Sequence, residues 1–377
     1  MVLIPVVIII VSSYLLFVLF LVWGWKKLPV RNCADKCNLS VSVIIPVRDE
    51  VENVSRIIQQ LENQTYPKQE FEVIIVDDNS EDGTYAKLLE LSRVSDLNLK
   101  IVQLPSDGNT AFSHKKAAIT AGIENAKGEI VLMTDADVEL GEQWIQCYVT
   151  AFANSDTKFI SAPVMMKSGH FLEEVQSLEF ASLIGTGASL LFFNTPVMCN
   201  GANLAYRKEV FNKVGGYENN QHIISGDDEF LMHKIYKLYP SNVFFMKSLE
   251  ATVWVRPLSR FTDFYNQRRR WSGKWKFHAN IYSSVLAVYI FIVHIVFLLS
   301  VLLGIFKMMP GRMVINLWIA KIIIEYVFLL QIFQFFAKKL KIFPFIISSL
   351  LYSLYAVTFG ILSNFGGYVW KGRRYKN

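Results

Sequence analysis

The stretch VSVIIPVRDEVENVSRIIQQLENQTYPKQEFEVIIVDDNS, residues 41–80, reads as strand, helix, strand. Residues 41–47 are a nearly unbroken run of Val and Ile, as expected of a central parallel strand buried on both faces. Val54, Ile57, Ile58 and Leu61 follow at i, i+3, i+4 and i+7, the stripe of an amphipathic helix that ends before Pro67. Residues 71–76 give a second strand and 85–91 a second helix, while 100–104 and 129–134 give a third and a fourth strand. Such alternation predicts right-handed crossovers and an α/β fold with a mostly parallel central sheet. Ligands of such sheets bind beyond the carboxyl ends of the strands.

Outward from this core the chain turns apolar. Of 377 residues 52% are hydrophobic and 14% aromatic, which points to membrane segments. Residues 1–25 carry no charge before Lys26 and Lys27; they predict an uncleaved transmembrane anchor with its N-terminus outside and Lys26, Lys27 and Arg31 on the cytosolic side. Residues 26–40 then form a linker. Three further runs, 281–306, 313–336 and 342–362, are each long enough to cross a bilayer and make 281–364 a region of two or three spans. Lys321 and Glu325, four apart, share one helix face; they could pair inside a bundle, or snorkel or line a helix contact. A third full crossing would place the basic tail, 365–377, outside against the positive-inside tendency, so either the last run is re-entrant or the tail breaks the rule. Net charge is +6, 38 basic minus 32 acidic residues, concentrated at membrane edges; it implies headgroup attraction and no nucleic acid. The four cysteines lack metal-type spacing, and a cytosolic domain keeps them reduced.

Five signatures mark the segment 41–275 in order: PVRDE at 46–50, VDDNSEDGT at 76–84, TDADV at 134–138, GDDEF at 226–230 and QRRRW at 267–271. The first two follow strands, so their carboxylates face one crevice and can accept from the imide, amino and hydroxyl donors of a nucleotide. Alternation sends Asp135 and Asp137 to one side, where two hard oxygen ligands suit Mg²⁺ or Mn²⁺. The adjacent Asp227 and Asp228 repel each other, which favours a raised pKa in one, as a general base near neutral pH requires. Helical spacing places Gln267, Arg270 and Trp271 on one face. Arg268 and Arg269 are then free to reach lipid headgroups, with Trp275 at the boundary.

Together these signatures resemble the family-2 glycosyltransferases, which include cellulose, chitin and hyaluronan synthases and ceramide glucosyltransferase. The resemblance implies a GT-A-type domain over 41–275 and an inverting, metal-dependent transfer of a sugar. The donor is a nucleotide sugar, with a UDP-sugar expected, and the acceptor a lipid or glycan at the plasma membrane. It implies donor contacts from Pro46, Glu50, Asp78, Lys115 (or its neighbour Lys116), Asp135 and Arg270, and acceptor contacts from Gly201, Asn203, Gln267 and Trp271. Asp135 and Asp137 correspond to the metal-binding DxD motif. Aligning Leu231 and Lys234 puts Asp228 at the catalytic aspartate, with Asp227 as the alternative; this chain departs from the common pattern at Asp227, where Glu is commoner, and at Phe230, where Asp is commoner. Four expected spans are few for a polymer channel and favour single transfer to a lipid. The alternatives are a processive exopolysaccharide synthase, a non-catalytic membrane subunit and a nucleotidyltransferase.

Overall fold

The computed structural model describes residues 3–33, 37–105, 114–221, 223–273 and 280–376. The chain divides into two compact units, one of Pro29–Met166 with Met198–Arg256, the other of Met1–Leu28, Lys167–Val197 and Pro257–Asn377. This division departs from the expected continuous domain 41–275. Residues 167–197 and 257–273 group with the long apolar helices, and the linker from Pro29 onward groups with the α/β unit.

The α/β unit is built on a seven-stranded sheet in the order Leu99–Gln103, Phe71–Asp77, Val41–Val47, Ile130–Met133, Leu204–Arg207, Phe159–Ser161, Val243–Phe245. The first four strands are mutually parallel, and Leu204–Arg207 runs antiparallel to both of its neighbours. All four strands read from the sequence are present within a residue or two of the expected ends. The two central ones are buried almost throughout, so their apolar runs are covered on both faces. Helix Val51–Glu62 buries Val54, Ile57, Ile58 and Leu61, the stripe its spacing predicts. Strand Val253–Val255 pairs with Val138–Glu139 and Val164–Met166 in a second, three-stranded sheet.

The linker is anchored to this unit. Val30 bridges Lys247, the Arg31 amide donates to the Lys247 carbonyl at 2.9 Å, and Cys33 is disulfide-bonded to Cys147 in the helix Trp144–Phe152. This corrects the expectation of four reduced cysteines: 114 residues separate the two in sequence, so no local spacing announced the pair. Cys37 and Cys199 are not disulfide-bonded.

Among the described residues, the other unit contains five helices long and apolar enough to cross a membrane: Leu3–Lys27, Phe171–Phe192, Ile281–Ile305, Gly311–Phe335 and Ile342–Leu362. The second was not among the four expected spans. Its most apolar window is 67% buried, against 17–28% for the other four, so it packs inside the unit while they keep lipid-type surface. The last run is one unbroken helix of 21 residues, about 31 Å at 1.5 Å per residue, which is a spanning length. Lys321 is fully buried and pairs with Glu325 at 2.9 Å. Its ammonium also donates to the Ser349 carbonyl at 2.7 Å, and the Tyr14 hydroxyl donates to Glu325 at 2.5 Å. The pair therefore crosslinks three helices rather than snorkelling. The expected basic tail contains a hairpin, Gly367–Trp370 with Arg373–Lys376, turning through Lys371 and Gly372 at φ 47° and 73°, the two positive values a type I′ turn requires.

Candidate active site

The strands Val41–Val47 and Phe71–Asp77 are in register to their last residues, Val47 opposite Asp77, so both acidic signatures begin at one level. Asp49 and Asn79 take left-handed backbone conformations, φ 51° and 52°, and turn the chain off the sheet edge. Arg48 braces the two turns by donating to the carbonyls of Asp78 and Asn79 at 2.7 and 3.0 Å, a role the sequence did not disclose. The Glu50 amide donates to Thr84 Oγ1, and Asn53 Nδ2 donates to Glu50 Oε2 at 2.5 Å. Asp77 is fully buried; its Oδ2 accepts the Ser80 amide at 3.3 Å and its Oδ1 has no partner among the described residues. Asp77 thus closes the turn. Asp78 Oδ1 lies 3.3 Å from His114 Nδ1, a contact the sequence reading missed although His114 precedes the two lysines it singled out. Pro46, part-exposed in its strand, shapes the strand end and has no side-chain donor to offer a ligand.

His114 opens the helix His114–Asn125, and the next two residues part company. Lys115 Nζ sits 2.9 Å from Asp135 Oδ1 and 3.8 Å from Asp227 Oδ2. Lys116 is fully buried and donates to backbone carbonyls. Of the two lysines, Lys115 is the one in contact with the carboxylates Asp135 and Asp227. Burial lowers the Lys115 pKa, but the facing Asp135 and Asp227 more than offset it and hold the ammonium charged.

Helix Asp227–Leu238 starts on Gly226, whose φ of 81° and position, where an added Cβ would lie 2.8 Å from the Phe230 ring, both require glycine. Asp228 Oδ2 accepts the Gly201 amide at 2.9 Å, and Oδ1 accepts the Glu229 amide at 2.8 Å. Gly201 thus lies against the two aspartates, with an added Cβ 3.4 Å from Asp227 Oδ2. Lys115, Asp135, Asp227, Asp228 and Gly201 are linked by these contacts, while Asp137 is exposed two residues beyond Asp135. Buried Tyr206 lies near enough to Asp227 that burial first, and that carboxylate second, raise its phenol pKa.

Asn203 does not join them. It is fully buried, its Oδ1 accepting from Trp144 Nε1 and the Tyr148 hydroxyl at 2.8 Å each, its Nδ2 donating to the carbonyls of Pro163 and Ala251 at 2.7 and 2.8 Å. With both ends of the amide saturated it cannot reach an acceptor, and it serves as a core crosslink. Gln267, Arg270 and Trp271 lie in the other unit, on the helix Phe261–Ser272. There Gln267 accepts from Arg268, Arg270 stacks 5.1 Å over the Trp370 ring of the hairpin, and Trp271 packs on Phe180 and the Arg268 guanidinium. Arg268 and Arg269 do not reach outward as expected. Arg268 is 2% exposed and grips Glu179 at 2.6 Å; Arg269, also buried, donates to the Leu362 carbonyl at 3.2 Å. Trp275 lies outside the described residues.

A divalent cation fits the donor set in part. Asp135 already attracts one cation, Lys115, and Asp137 lies two residues on, but no cluster of three His, Cys, Asp or Glu side chains placed to hold a metal occurs among the described residues. Two aspartate carboxylates with a bound diphosphate would complete an all-oxygen set suited to Mg²⁺ or Mn²⁺.

Comparison with known proteins gives the same picture. A family model described as "Glycosyl transferase family 2" matches residues 42–215, and one described as "Glycosyl transferase family group 2" matches residues 130–362, more than half of the chain. The glycosyltransferase AglE of Haloferax volcanii is 29% identical over 188 residues, 50% of this chain and 58% of that protein. The probable glycosyltransferase YdaM of Bacillus subtilis is 23% identical over 250 residues, 62% of this chain and 54% of that protein. The chain thus spans between half and three fifths of the length of these relatives. In fold it is similar to a mannosyltransferase from Pyrobaculum calidifontis solved with GDP-Man and Mn²⁺, with a TM-score of 0.61 at 16% identity over 94% of this chain and 97% of that one.

Proposed function

This chain belongs to the family-2 glycosyltransferases, and we propose that it catalyses inverting transfer of a hexose or N-acetylhexosamine from a nucleotide sugar to a lipid or glycan acceptor at a membrane. The observation that carries the reading is the linked set Lys115, Asp135, Asp227, Asp228 beyond the carboxyl ends of a parallel sheet. Asp78 and Glu50 accept from the base and ribose. Lys115 neutralises charge on the diphosphate as the glycosidic bond breaks, and a divalent ion held by Asp135 and Asp137 would supply further charge neutralisation there. Asp228 takes the proton of the acceptor hydroxyl; its two backbone hydrogen bonds fix the carboxylate for that role. UDP is the expected nucleotide, and the GDP-Man bound by the fold neighbour keeps guanine as the alternative base. The α/β unit is assigned to the cytosolic face of the plasma membrane, where nucleotide sugars are available. The four spans expected from the sequence, five candidates among the described residues, are few for a polymer channel and favour transfer of single sugars to a lipid.

The test is a screen of radiolabelled UDP- and GDP-sugars against purified protein with lipid extract, with and without chelator. A labelled lipid that disappears on chelation supports the reading. A labelled polymer would replace it with processive synthesis, and no labelled product from any donor would overturn it.

A further inference from the structure

Lys116 is a fully buried lysine whose ammonium donates to the carbonyls of Asn220 and Ile223, 2.7 Å each, and lies 5.1 Å over the Phe230 ring and 5.9 Å over that of Tyr217. Bringing an ammonium out of water is costly, and alkyl packing alone would be served by Met or Leu. Asn220 and Ile223 precede Gly226, and Phe230 lies two residues beyond Asp228. Lys116 therefore holds the aspartate pair from both sides, by the chain entering the helix and by the helix's own first turn. The preceding residue, Lys115, contacts Asp135 and Asp227. The Phe230 ring fills the space below Gly226 and presents its face to the ammonium.

We propose that Lys116 is a positioning residue that sets Asp227 and Asp228 relative to the donor diphosphate, with Phe230 as its partner. The inference rests on the reading of Asp228 as the base. It implies that one helical turn, His114 to Lys116, ties the base-binding carboxylate Asp78, the metal-binding Asp135 and the catalytic pair into one rigid constellation. The two hydrogen bonds of Lys116 go to backbone carbonyls ahead of the helix, so its loss should misplace the base while leaving nucleotide contacts in place.

The experiment compares wild type with Lys116→Met, Lys116→Arg and Phe230→Leu for kcat, donor KM and UDP affinity. Lys116→Met should lower kcat roughly 10- to 100-fold, the scale of a misplacement near 1 Å, with donor KM and UDP affinity within about threefold of wild type. Lys116→Arg, which restores donors to the two carbonyls, should recover part of the loss, and Phe230→Leu should show a smaller loss in the same constant. Unchanged kcat in a folded Lys116→Met protein, or a loss carried by donor KM, overturns the positioning role alone. If Lys116→Met does not fold, Phe230→Leu decides, and unchanged kcat there overturns it. A wild-type enzyme whose Asp228→Asn variant keeps full transfer would instead remove the reading on which the inference rests.

Discussion

Lys115 is the residue on which the site's electrostatics turn. Its pKa is raised above that of the free side chain, so its stabilising contribution is complete below the unfolded value, about 10.4, and is lost only as pH climbs through the higher folded value. It is charged throughout the working range, and no limb of the pH profile below pH 10 should belong to it. Lys115→Met removes a charge-assisted contact of about 1.5–3 kcal/mol, so donor affinity should fall roughly 10- to 100-fold, measurable by UDP calorimetry. Wild-type affinity in that variant would take Lys115 out of the donor site. At this scale the sequence was informative where types are chemically committed: Asp78 and Asp135 lie just beyond strand ends as expected. It failed at Asn203, because an amide that crosslinks the core and one that binds a sugar use the same donors and acceptors, and only burial separates them. It failed likewise at Arg268, where an acidic partner 89 residues away was invisible.

The helix Phe261–Ser272 shows what an element adds. Read as a peptide, Arg268 and Arg269 suggest a surface facing headgroups; folded, Arg268 is bonded to Glu179 and Tyr355 and lies over the rings of Phe264 and Trp271. Removing one partner of such a buried pair strands the other, so Arg268→Ala should cost about 3–5 kcal/mol in a detergent or nanodisc melt. Arg268→Lys should also lose stability, since an ammonium cannot reproduce the forked contact. A lysine variant as stable as wild type would restore the headgroup reading. The hairpin of residues 367–376 went unread because its alternation is short and charged, although Lys371-Gly372 between Tyr-Val-Trp and Arg-Arg-Tyr carried the turn signal. The Val369 amide donates to Asn266 and Trp370 lies against Arg270, so the chain's end belongs to this helix's environment.

For the whole molecule, the sequence specified the layers of the α/β unit because strand and helix periods are local, and each apolar run is long. It did not specify the division into units, since 167–197 and 257–273 join the apolar helices through contacts distant in sequence. The Cys33–Cys147 bond is another long-range feature, tying the linker to the α/β unit. A reducing cytosol opposes such bonds in most cells, whereas some thermophiles form them inside the cell. Alkylation of denatured, unreduced protein should therefore modify Cys37 and Cys199 only, and reduction should expose the other two and lower stability by about 2–4 kcal/mol. Four reactive thiols without reductant would return the pair to the reduced state first expected.

The decisive measurement pairs Asp228→Asn with Asp137→Ala in liposomes, each assayed for nucleotide binding and for sugar transfer. Asp228→Asn should keep nucleotide affinity near wild type while transfer falls by roughly 10²- to 10⁴-fold, and Asp137→Ala should lose transfer together with the metal-dependent part of nucleotide binding. Full transfer by Asp228→Asn, or by Asp137→Ala in excess chelator, would contradict a carboxylate-based, metal-assisted glycosyl transfer at this site.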